Sequence, residues 1–220
     1  MKIYAIIPAY NEQNTIFDIV RKAKKYCPVI VVDDGSIDGT AKLAEKVGAI
    51  VIKHDKNKGY GRSLIDGINE ALRRKADLII TLDADGQHNP DDIPKFIEAL
   101  NNGYNVVSSS RFLSGKSWGT RKRMIAIKLL TYQAWLFSGL KLTDIQSGFR
   151  GYNSKIFDKI KLEAKGMDFS VEILIKAKRF GYSFVEIPIE IKKPYSIKSF
   201  WSALKQGLEV GEAIIKYSLF

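Results

Sequence analysis

Two acidic residues separated by one position, Asp83 and Asp85, directly follow the strongly apolar segment 78–82. If that segment is a buried β-strand, both carboxylates lie at its carboxyl end and reach one hard cation, and Mg²⁺ or Mn²⁺ prefers such oxygen ligands. Gln87 adds a carbonyl oxygen two residues further on. A cation held there would offset the charge that builds on a departing diphosphate. The pattern therefore predicts a Mg²⁺ or Mn²⁺ site.

A second acidic pair, Asp33 and Asp34, follows the apolar segment 29–32 and precedes Gly35 and Ser36. Acidic residues beside glycine commonly form turns and helix caps, so a purely structural role is one interpretation. Adjacent carboxylates at the end of a central strand are costly unless donors pair with them. Hydroxyl and N–H groups of a ribose or a base would do so, and we therefore expect this loop to bind a nucleotide.

The surrounding segments predict how these loops are positioned. Apolar strands alternate with amphipathic helices in the first half of the chain, with strands expected at 2–7, 29–32, 49–53, 78–82 and 105–109, and helices at 14–25 (capped by Asn14), 40–47, 59–74 and 91–100. Strands that are apolar throughout indicate a mostly parallel sheet with helices on both faces, an α/β fold. Ligands bind beyond the carboxyl ends of such strands, which selects the loops 8–12, 33–36 and 83–87.

The second half of the chain is less regular. A helix over 121–140 begins with Arg121, Lys122 and Arg123 and then becomes strongly apolar. A loop over 144–150, a short helix near Ser154, a helix over 169–179, a strand over 184–187 and a final amphipathic helix over 197–220 follow. Without an evident linker or repeat, residues 1–220 are expected to form one domain.

The bulk composition narrows the classes of partner. The formal net charge is +11, from 35 Lys and Arg against 24 Asp and Glu, which favours phosphates, nucleic acid or an acidic membrane surface as partners, unless the charge only solvates the surface. A single cysteine, Cys27, cannot form an internal disulfide, which is typical of a reducing cytosol. No apolar run reaches the length of a spanning helix, so the chain is expected in the cytoplasm or on a membrane surface.

Several other kinds of site are disfavoured. Lys58-Gly59-Tyr60-Gly61 invites a dinucleotide-fold interpretation, but Leu64 stands where the third glycine of G-x-G-x-x-G belongs. His54 and His88 have no cysteine or second histidine at metal-ligand spacing, which makes a zinc site improbable.

Five motifs occur in a fixed order: residues 8–12 (PAYNE), 33–36 (DDGS), 83–90 (DADGQHNP), 109–111 (SSR) and 146–150 (QSGFR). Over residues 1–193 the chain resembles family 2 glycosyltransferases of the GT-A fold, close to dolichol-phosphate mannosyltransferases and polyprenyl-phosphate glucosyltransferases. The resemblance implies a GT-A fold and an inverting transfer of sugar from a nucleotide-sugar of the GDP-mannose or UDP-glucose type.

The resemblance also implies roles for individual residues. The nucleotide-sugar pocket would be lined by Pro8, Tyr10, Glu12, Asp33, Asp34 and Asp83, the cation would be held by Asp83, Asp85 and Gln87, and phosphate or acceptor would be met by Arg111, Arg121, Arg123, Ser147 and Arg150. Asp85 would be the residue with any direct catalytic role. Glu172 matches an acidic position of the family without an assigned role. The chain carries Lys192, Lys193 and Lys198 where lipid-phosphate mannosyltransferases carry an arginine.

The nucleophile follows from acid–base chemistry. A sugar hydroxyl needs a general base to remove its proton. A polyprenyl phosphate does not, because a phosphate monoester has a second pKa of about 6 and is largely ionised at neutral pH. The absence of an evident base is therefore compatible with a dolichyl or polyprenyl phosphate acceptor. A soluble or cell-envelope glycan acceptor, a sugar-phosphate nucleotidyltransferase and an inactive nucleotide-binding module remain as alternatives.

The basic and then apolar segment 121–140 is typical of a helix lying on an anionic membrane interface, although core packing is the competing interpretation. The segment 197–220 has the same ambiguity. We expect the chain to act as a peripheral protein on the cytoplasmic face of a membrane, docked by its own helices or through a membrane-anchoring partner subunit, and not to bind nucleic acid.

Overall fold

The fold is seen in a computed structural model, which describes residues 1–115, 120–191 and 200–219. Lys192, Lys193 and Lys198 lie outside the described residues. So do residues 197–199 and 220 of the expected final helix.

Strands and helices alternate along most of the chain. The strands are β1 (Ile3–Ala9), β2 (Val29–Asp33), β3 (Ile50–Lys53), β4 (Leu78–Thr81), β5 (Val106–Ser110), β6 (Arg150–Asn153) and β7 (Phe184–Pro188). The helices are α1 (Ile16–Ala23), α2 (Thr40–Lys46), α3 (Tyr60–Arg73), α4 (Ile93–Asn101), α5 (Arg121–Ser138), α6 (Phe169–Arg179) and α7 (Phe200–Leu219). Short 3₁₀ turns at Pro90–Asp92 and Ser154–Asp158 precede α4 and follow β6.

The strands form one sheet in the order β3-β2-β1-β4-β6-β5-β7. All neighbours are parallel except β6, which runs antiparallel to both β4 and β5. The predicted mostly parallel α/β sheet is therefore confirmed, whereas β6 was not predicted. Its four residues, Arg-Gly-Tyr-Asn, carry no apolar run. At Gly151 the space for a side chain is tight, since a Cβ atom would lie 3.0 Å from Leu100 Cδ1 and 3.2 Å from Ile80 Cδ1.

Alternating residues of the strands feed two separate cores, one on each face of the sheet. On β1, Ile6 belongs to the core covered by α3, α5, α6 and α7, while Ala5 and Ile7 belong to the core covered by α1, α2 and α4. Helices therefore cover both faces, as expected for strands that are apolar throughout.

The residues before α1 and α3 show how these two helices begin. Asn14 does not cap α1, which begins at Ile16 after Thr15 and has no side-chain cap hydrogen bond. Thr15 instead donates its hydroxyl to the Glu12 carboxylate at 2.9 Å. At α3 the preceding Gly59 has φ 101°, a value that glycine adopts without strain. A Cβ atom at Gly59 would also collide with the carbonyl oxygen of Lys165.

The described part of α5 is apolar around much of its circumference. Ile127 and Ala134 are buried, while Ile125, Leu129, Tyr132 and Leu136 are exposed at helical spacing. None of the helices that the structure describes is both long enough and apolar enough to cross a bilayer.

Candidate active site

A cavity of about 360 Å³ opens at the carboxyl ends of β1, β2 and β4. Its walls come from the loops after those strands, from the start of α3, from the loop before β6 and from the start of α6. The lining residues are Pro8, Ala9, Tyr10, Glu12, Asp34, Asn57, Tyr60, Ser63, Asp83, Ala84, Asp85, Gln146, Gly148, Met167 and Ser170. The cavity lies at the edge of the sheet that is selected by the rule that ligands bind beyond parallel strand ends.

Several hydrogen bonds fix the loop after β1 to the loop after β2, and three of them involve Asn11 and Glu12. Asn11, with φ 55°, donates its N–H to Ser36 Oγ at 2.9 Å, and its side-chain oxygen accepts the N–H of Ile37 at 3.0 Å. The Glu12 N–H donates to Thr40 Oγ1 at 2.8 Å. These contacts hold Tyr10 at the rim of the cavity and Glu12 within its wall.

Asp33 and Asp34 have different surroundings although they are adjacent. Asp34 accepts hydrogen bonds from Lys58 N at 2.8 Å and Gly59 N at 2.9 Å, and its Oδ1 lies 2.7 Å from His54 Nδ1. Asp33 is only 4% exposed and is absent from the cavity wall. Its Oδ1 has no hydrogen-bond partner among the described residues. A buried acceptor of this kind is costly unless a donor pairs with it.

His54 holds Asp34 from behind. Its second ring nitrogen, Nε2, lies 3.1 Å from Asp66 Oδ2, and Asp66 also pairs with Arg62. The imidazole is buried between the two carboxylates. The structure therefore assigns His54 to the support of the acidic loop, a role that its isolated position in the sequence did not indicate.

Asp83 is surrounded on several sides. The Tyr60 hydroxyl donates to Asp83 Oδ1 at 2.8 Å, and His88 Nδ1 lies 3.6 Å from Asp83 Oδ2. A Cβ atom at Gly148 would collide with the carboxylate, so only glycine lets the loop before β6 approach it.

Burial, and then the Asp83 charge, raises the pKa of Tyr60 well above its ordinary value. Burial lowers the pKa of His88, so its imidazole is neutral at pH 7.

Asp85 lies beside Asp83 in the same wall. Burial and the Asp83 charge raise the pKa of Asp85 from 3.8 to about 6, with a smaller contribution from Glu12 and an opposing one from Arg123. Burial and a neighbouring like charge both disfavour the ionised form of a carboxylate. The described residues contain no group of three or more His, Cys, Asp or Glu side chains that could hold a metal. The two carboxylates fit a cation that completes its ligand set from a diphosphate and water.

Gln87 is turned toward Asp85. Its backbone N–H donates to Asp85 Oδ1 at 2.9 Å, and its side-chain Nε2 donates to Asp85 Oδ2 at 2.7 Å. In this structure Gln87 orients Asp85, and its expected place as a third metal ligand stays a prediction.

The guanidinium of Arg111 is engaged with a carboxylate. Arg111 Nε lies 2.6 Å from Asp144 Oδ2 and Nη2 lies 2.7 Å from Asp144 Oδ1. Both side chains are buried, and neither lines the cavity. The expectation that this guanidinium fork meets a phosphate is not matched by the structure, in which Asp144 takes the bidentate position.

Two other expected acceptor-side residues are also buried. Arg150 is 2% exposed and donates to the carbonyl oxygens of Ile145 and Ser170, both at 2.6 Å. The hydroxyl of Ser147 pairs with that of Ser109. Both side chains therefore hold the loop before β6 in place and lie outside the cavity wall, where the sequence had led us to expect acceptor-side residues. Their neighbours Gln146 and Gly148 line the cavity instead.

The two arginines at the start of α5 differ. Arg121 is exposed, whereas Arg123 is half-buried and lies near enough to Asp85 to lower its pKa. Thr120 caps this helix by accepting the Arg123 N–H at 3.4 Å. Of the predicted basic pair, Arg123 is the residue that the structure brings to the carboxylates.

Glu172 has a structural role. Its carboxylate is fully buried and accepts the N–H groups of Glu163 and Ala164, both at 2.9 Å, and the Lys176 ammonium at 2.7 Å. It thereby fixes the segment 163–166. A Cβ atom on Gly61 would lie only 2.9 Å from the carbonyl oxygen of Ala164 and 2.7 Å from that of Gly166, both of which belong to this segment. Gly59 and Gly61 therefore let the backbone of residues 164–166 approach the start of α3 closely.

Comparisons with known proteins agree with this architecture. A family model described as "Glycosyl transferase family 2" matches residues 4–161. An undecaprenyl-phosphate mannosyltransferase of Micrococcus luteus is 32% identical over 98% of this chain and 92% of its own length. A UDP-N-acetylglucosamine–dolichyl-phosphate N-acetylglucosaminyltransferase of Methanococcus voltae is 35% identical over 86% of this chain and 84% of its own.

Among solved structures, glucosyl-3-phosphoglycerate synthase from Mycobacterium tuberculosis, in complex with Mn²⁺, uridine diphosphate and glucosyl-3-phosphoglycerate, aligns with a TM-score of 0.81. The alignment covers 100% of this chain and 80% of that one at 18% identity. At this level of identity the likeness confirms the predicted GT-A fold.

Proposed function

Because this chain belongs to glycosyl transferase family 2, we propose that it transfers a sugar from a nucleotide-sugar to a dolichyl or polyprenyl phosphate. The observation that carries the proposal is the pair Asp83 and Asp85, which share one wall of the strand-end cavity with Glu12 and Asp34. A nucleoside would lie along Pro8, Tyr10 and the acidic loop, and its diphosphate would reach the carboxylate pair.

A divalent cation, Mg²⁺ or Mn²⁺, supplies charge stabilisation for the departing nucleoside diphosphate when it is bound by Asp83 and Asp85. The chain's own residues orient that site, since Tyr60 holds Asp83 and Gln87 holds Asp85. Asp34, which lines the cavity, is the acid of the second loop that a ribose or base would meet, whereas Asp33 lies outside the cavity wall.

The lipid-phosphate acceptor is supported by the chemistry of the cavity. A phosphate monoester is already ionised at neutral pH, so the transfer needs positioning and charge stabilisation more than a general base. Each acid that lines the cavity already accepts a hydrogen bond: Glu12 from Thr15, Asp34 from Lys58 and Gly59, Asp83 from Tyr60, and Asp85 from Gln87. Asp85 is the residue that we propose for any direct role. Arg123, which lies close to Asp85, provides positive charge where two phosphates would meet.

The exposed stripe of α5 supports a membrane-bound acceptor. Leu129 and Leu136 are 64% and 60% exposed, and Ile125 and Tyr132 continue the same stripe. Exposed Arg121 and Lys122 stand at the start of the helix. Apolar residues beside basic ones suit the interface of an anionic bilayer, and we place the protein on the cytoplasmic face. A membrane-anchoring partner subunit covering the same stripe is the competing arrangement.

The proposal is tested with a donor panel of GDP-mannose, UDP-glucose and UDP-N-acetylglucosamine, with Mn²⁺ and with or without polyprenyl phosphate in vesicles. We expect one donor to yield a sugar-linked lipid phosphate. The family also fits a soluble or cell-envelope glycan as acceptor. Sugar found only on a glycan would support that alternative and contradict the lipid-phosphate proposal.

A further inference from the structure

Tyr60 is the first residue of α3, and its side chain crosses to the loop after β4. Its hydroxyl donates to Asp83 Oδ1 at 2.8 Å. The ring also forms part of the cavity wall. The hydroxyl therefore contacts one oxygen of the Asp83 carboxylate, and the other oxygen lies 3.6 Å from His88 Nδ1.

The backbone on both sides of Tyr60 is fixed. Lys58 and Gly59, just before it, donate their N–H groups to Asp34 at 2.8 Å and 2.9 Å. Gly61, just after it, packs against the carbonyl oxygens of Ala164 and Gly166 too closely to admit a Cβ atom. Tyr60 therefore reaches Asp83 from a support that cannot shift without breaking contacts to Asp34 or to the segment 163–166.

These contacts place residues 58–60 between the two acidic loops. The segment holds Asp34 with two backbone donors and Asp83 with one side-chain donor. Three consecutive residues therefore connect the loop of Asp34, which would meet the nucleoside, with the loop of Asp83, which would meet the diphosphate. Gly148, in the loop before β6, also packs so closely against the Asp83 carboxylate that a Cβ atom there would collide with it.

We propose that Tyr60 is a positioning residue, which holds the Asp83 carboxylate in the orientation that a divalent cation requires. The inference rests on the proposed function, in that Asp83 and Asp85 bind the cation. Partners that orient a metal ligand typically change metal affinity by about 10–100-fold when they are removed. The hydroxyl of Tyr60 is the donor that does this for Asp83, while the donors of Gln87 do it for Asp85.

The test is direct Mn²⁺ binding, followed by the loss of the free-ion EPR signal, for the wild-type chain, Tyr60→Phe and Asp85→Ala. Tyr60→Phe is expected to weaken Mn²⁺ binding by about 10–100-fold. In transfer assays the Mn²⁺ concentration for half-maximal rate should rise by a similar factor, while kcat at saturating Mn²⁺ changes less. A purely structural role would not separate these two quantities.

Tyr26→Phe is the matched control, because Tyr26 also donates its hydroxyl to an aspartate, Asp91, at 2.9 Å, and neither residue lines the cavity. Its Mn²⁺ affinity should equal that of the wild-type chain. Thermal melting is recorded for each variant. Tyr60→Met also lacks the hydroxyl and takes the place of Tyr60→Phe if the latter is unfolded at the assay temperature.

The possible outcomes distinguish a failure of the metal site from a failure of the role proposed for Tyr60. A wild-type chain that binds no Mn²⁺, or an Asp85→Ala variant that binds it equally well, would overturn the metal site itself. Wild-type binding that is lost in Asp85→Ala but kept within twofold in folded Tyr60→Phe would overturn only the role of Tyr60.

Discussion

Arg111 and Asp144 form a buried bidentate pair, with Nε 2.6 Å from Oδ2 and Nη2 2.7 Å from Oδ1. The Arg111 backbone N–H also donates to the same carboxylate at 3.2 Å. The pair joins the end of β5 to the loop before β6, the loop that brings Gly148 against Asp83. Its geometry explains why an arginine predicted to bind phosphate is instead part of the frame of the site.

This pair predicts a large stability effect. Asp144→Ala removes the carboxylate that pairs with the buried Arg111 guanidinium, and we expect the free energy of unfolding to fall by about 3–5 kcal/mol. Urea or thermal unfolding followed by circular dichroism measures it. Asp18→Ala, which breaks the exposed Arg21–Asp18 pair, is the control and should change stability by no more than about 1 kcal/mol. Equal effects of the two substitutions would contradict the structural role of the buried pair.

The raised pKa of Asp85 predicts that metal affinity depends on pH. Its pKa in the folded, metal-free chain is about 6, above the ordinary value of 3.8, so a proton competes with the cation at this carboxylate. Mn²⁺ affinity should be constant above pH 7 and fall as the pH drops through about 6, approaching tenfold per pH unit below it. Mn²⁺ titrations between pH 5 and 8, with circular dichroism to monitor folding, measure this. Affinity that stays constant down to pH 5 would rule out proton competition at Asp85.

The exposed stripe of α5 predicts docking to anionic vesicles. Leu129→Glu combined with Leu136→Glu places two charges in the stripe, and we expect at least tenfold weaker co-sedimentation with vesicles that contain an anionic lipid. The control is Phe17→Glu, on α1 at the opposite face of the sheet, where Phe17 is 37% exposed. Unchanged vesicle binding of the double variant would indicate that this stripe is not the docking face and would favour a partner subunit.

The sequence was sufficient for the general plan of the site. Apolar strands directly followed by Asp33-Asp34 and by Asp83-Ala84-Asp85 can be recognised locally, because both the strand and the polar loop are contiguous. Parallel strands then bring their carboxyl ends to one edge, so Asp34, Asp83 and Asp85 could be placed together without coordinates. The family was predicted in the same way, from motifs whose order is visible in the chain.

What the sequence did not reveal depends on contacts between distant residues. Arg111 and Arg150 looked like phosphate ligands because their buried partners, Asp144 and two backbone carbonyls, can be found only in the fold. Tyr60 looked like part of a glycine-rich loop, and its distance to Asp83 depends on the packing of α3 against β1 and β4. β6 was missed because its four residues, Arg-Gly-Tyr-Asn, contain no apolar run, and its place between β4 and β5 can be seen only in the fold.

Asp83 and Asp85 are proposed to support metal-dependent transfer of sugar to a lipid phosphate. The most direct measurement is the formation of labelled lipid from a labelled nucleotide-sugar and polyprenyl phosphate, comparing the wild-type chain in Mn²⁺, the wild-type chain in chelator, and Asp85→Ala. We predict product only for the wild-type chain in Mn²⁺. Undiminished product from Asp85→Ala in the presence of chelator would contradict the account.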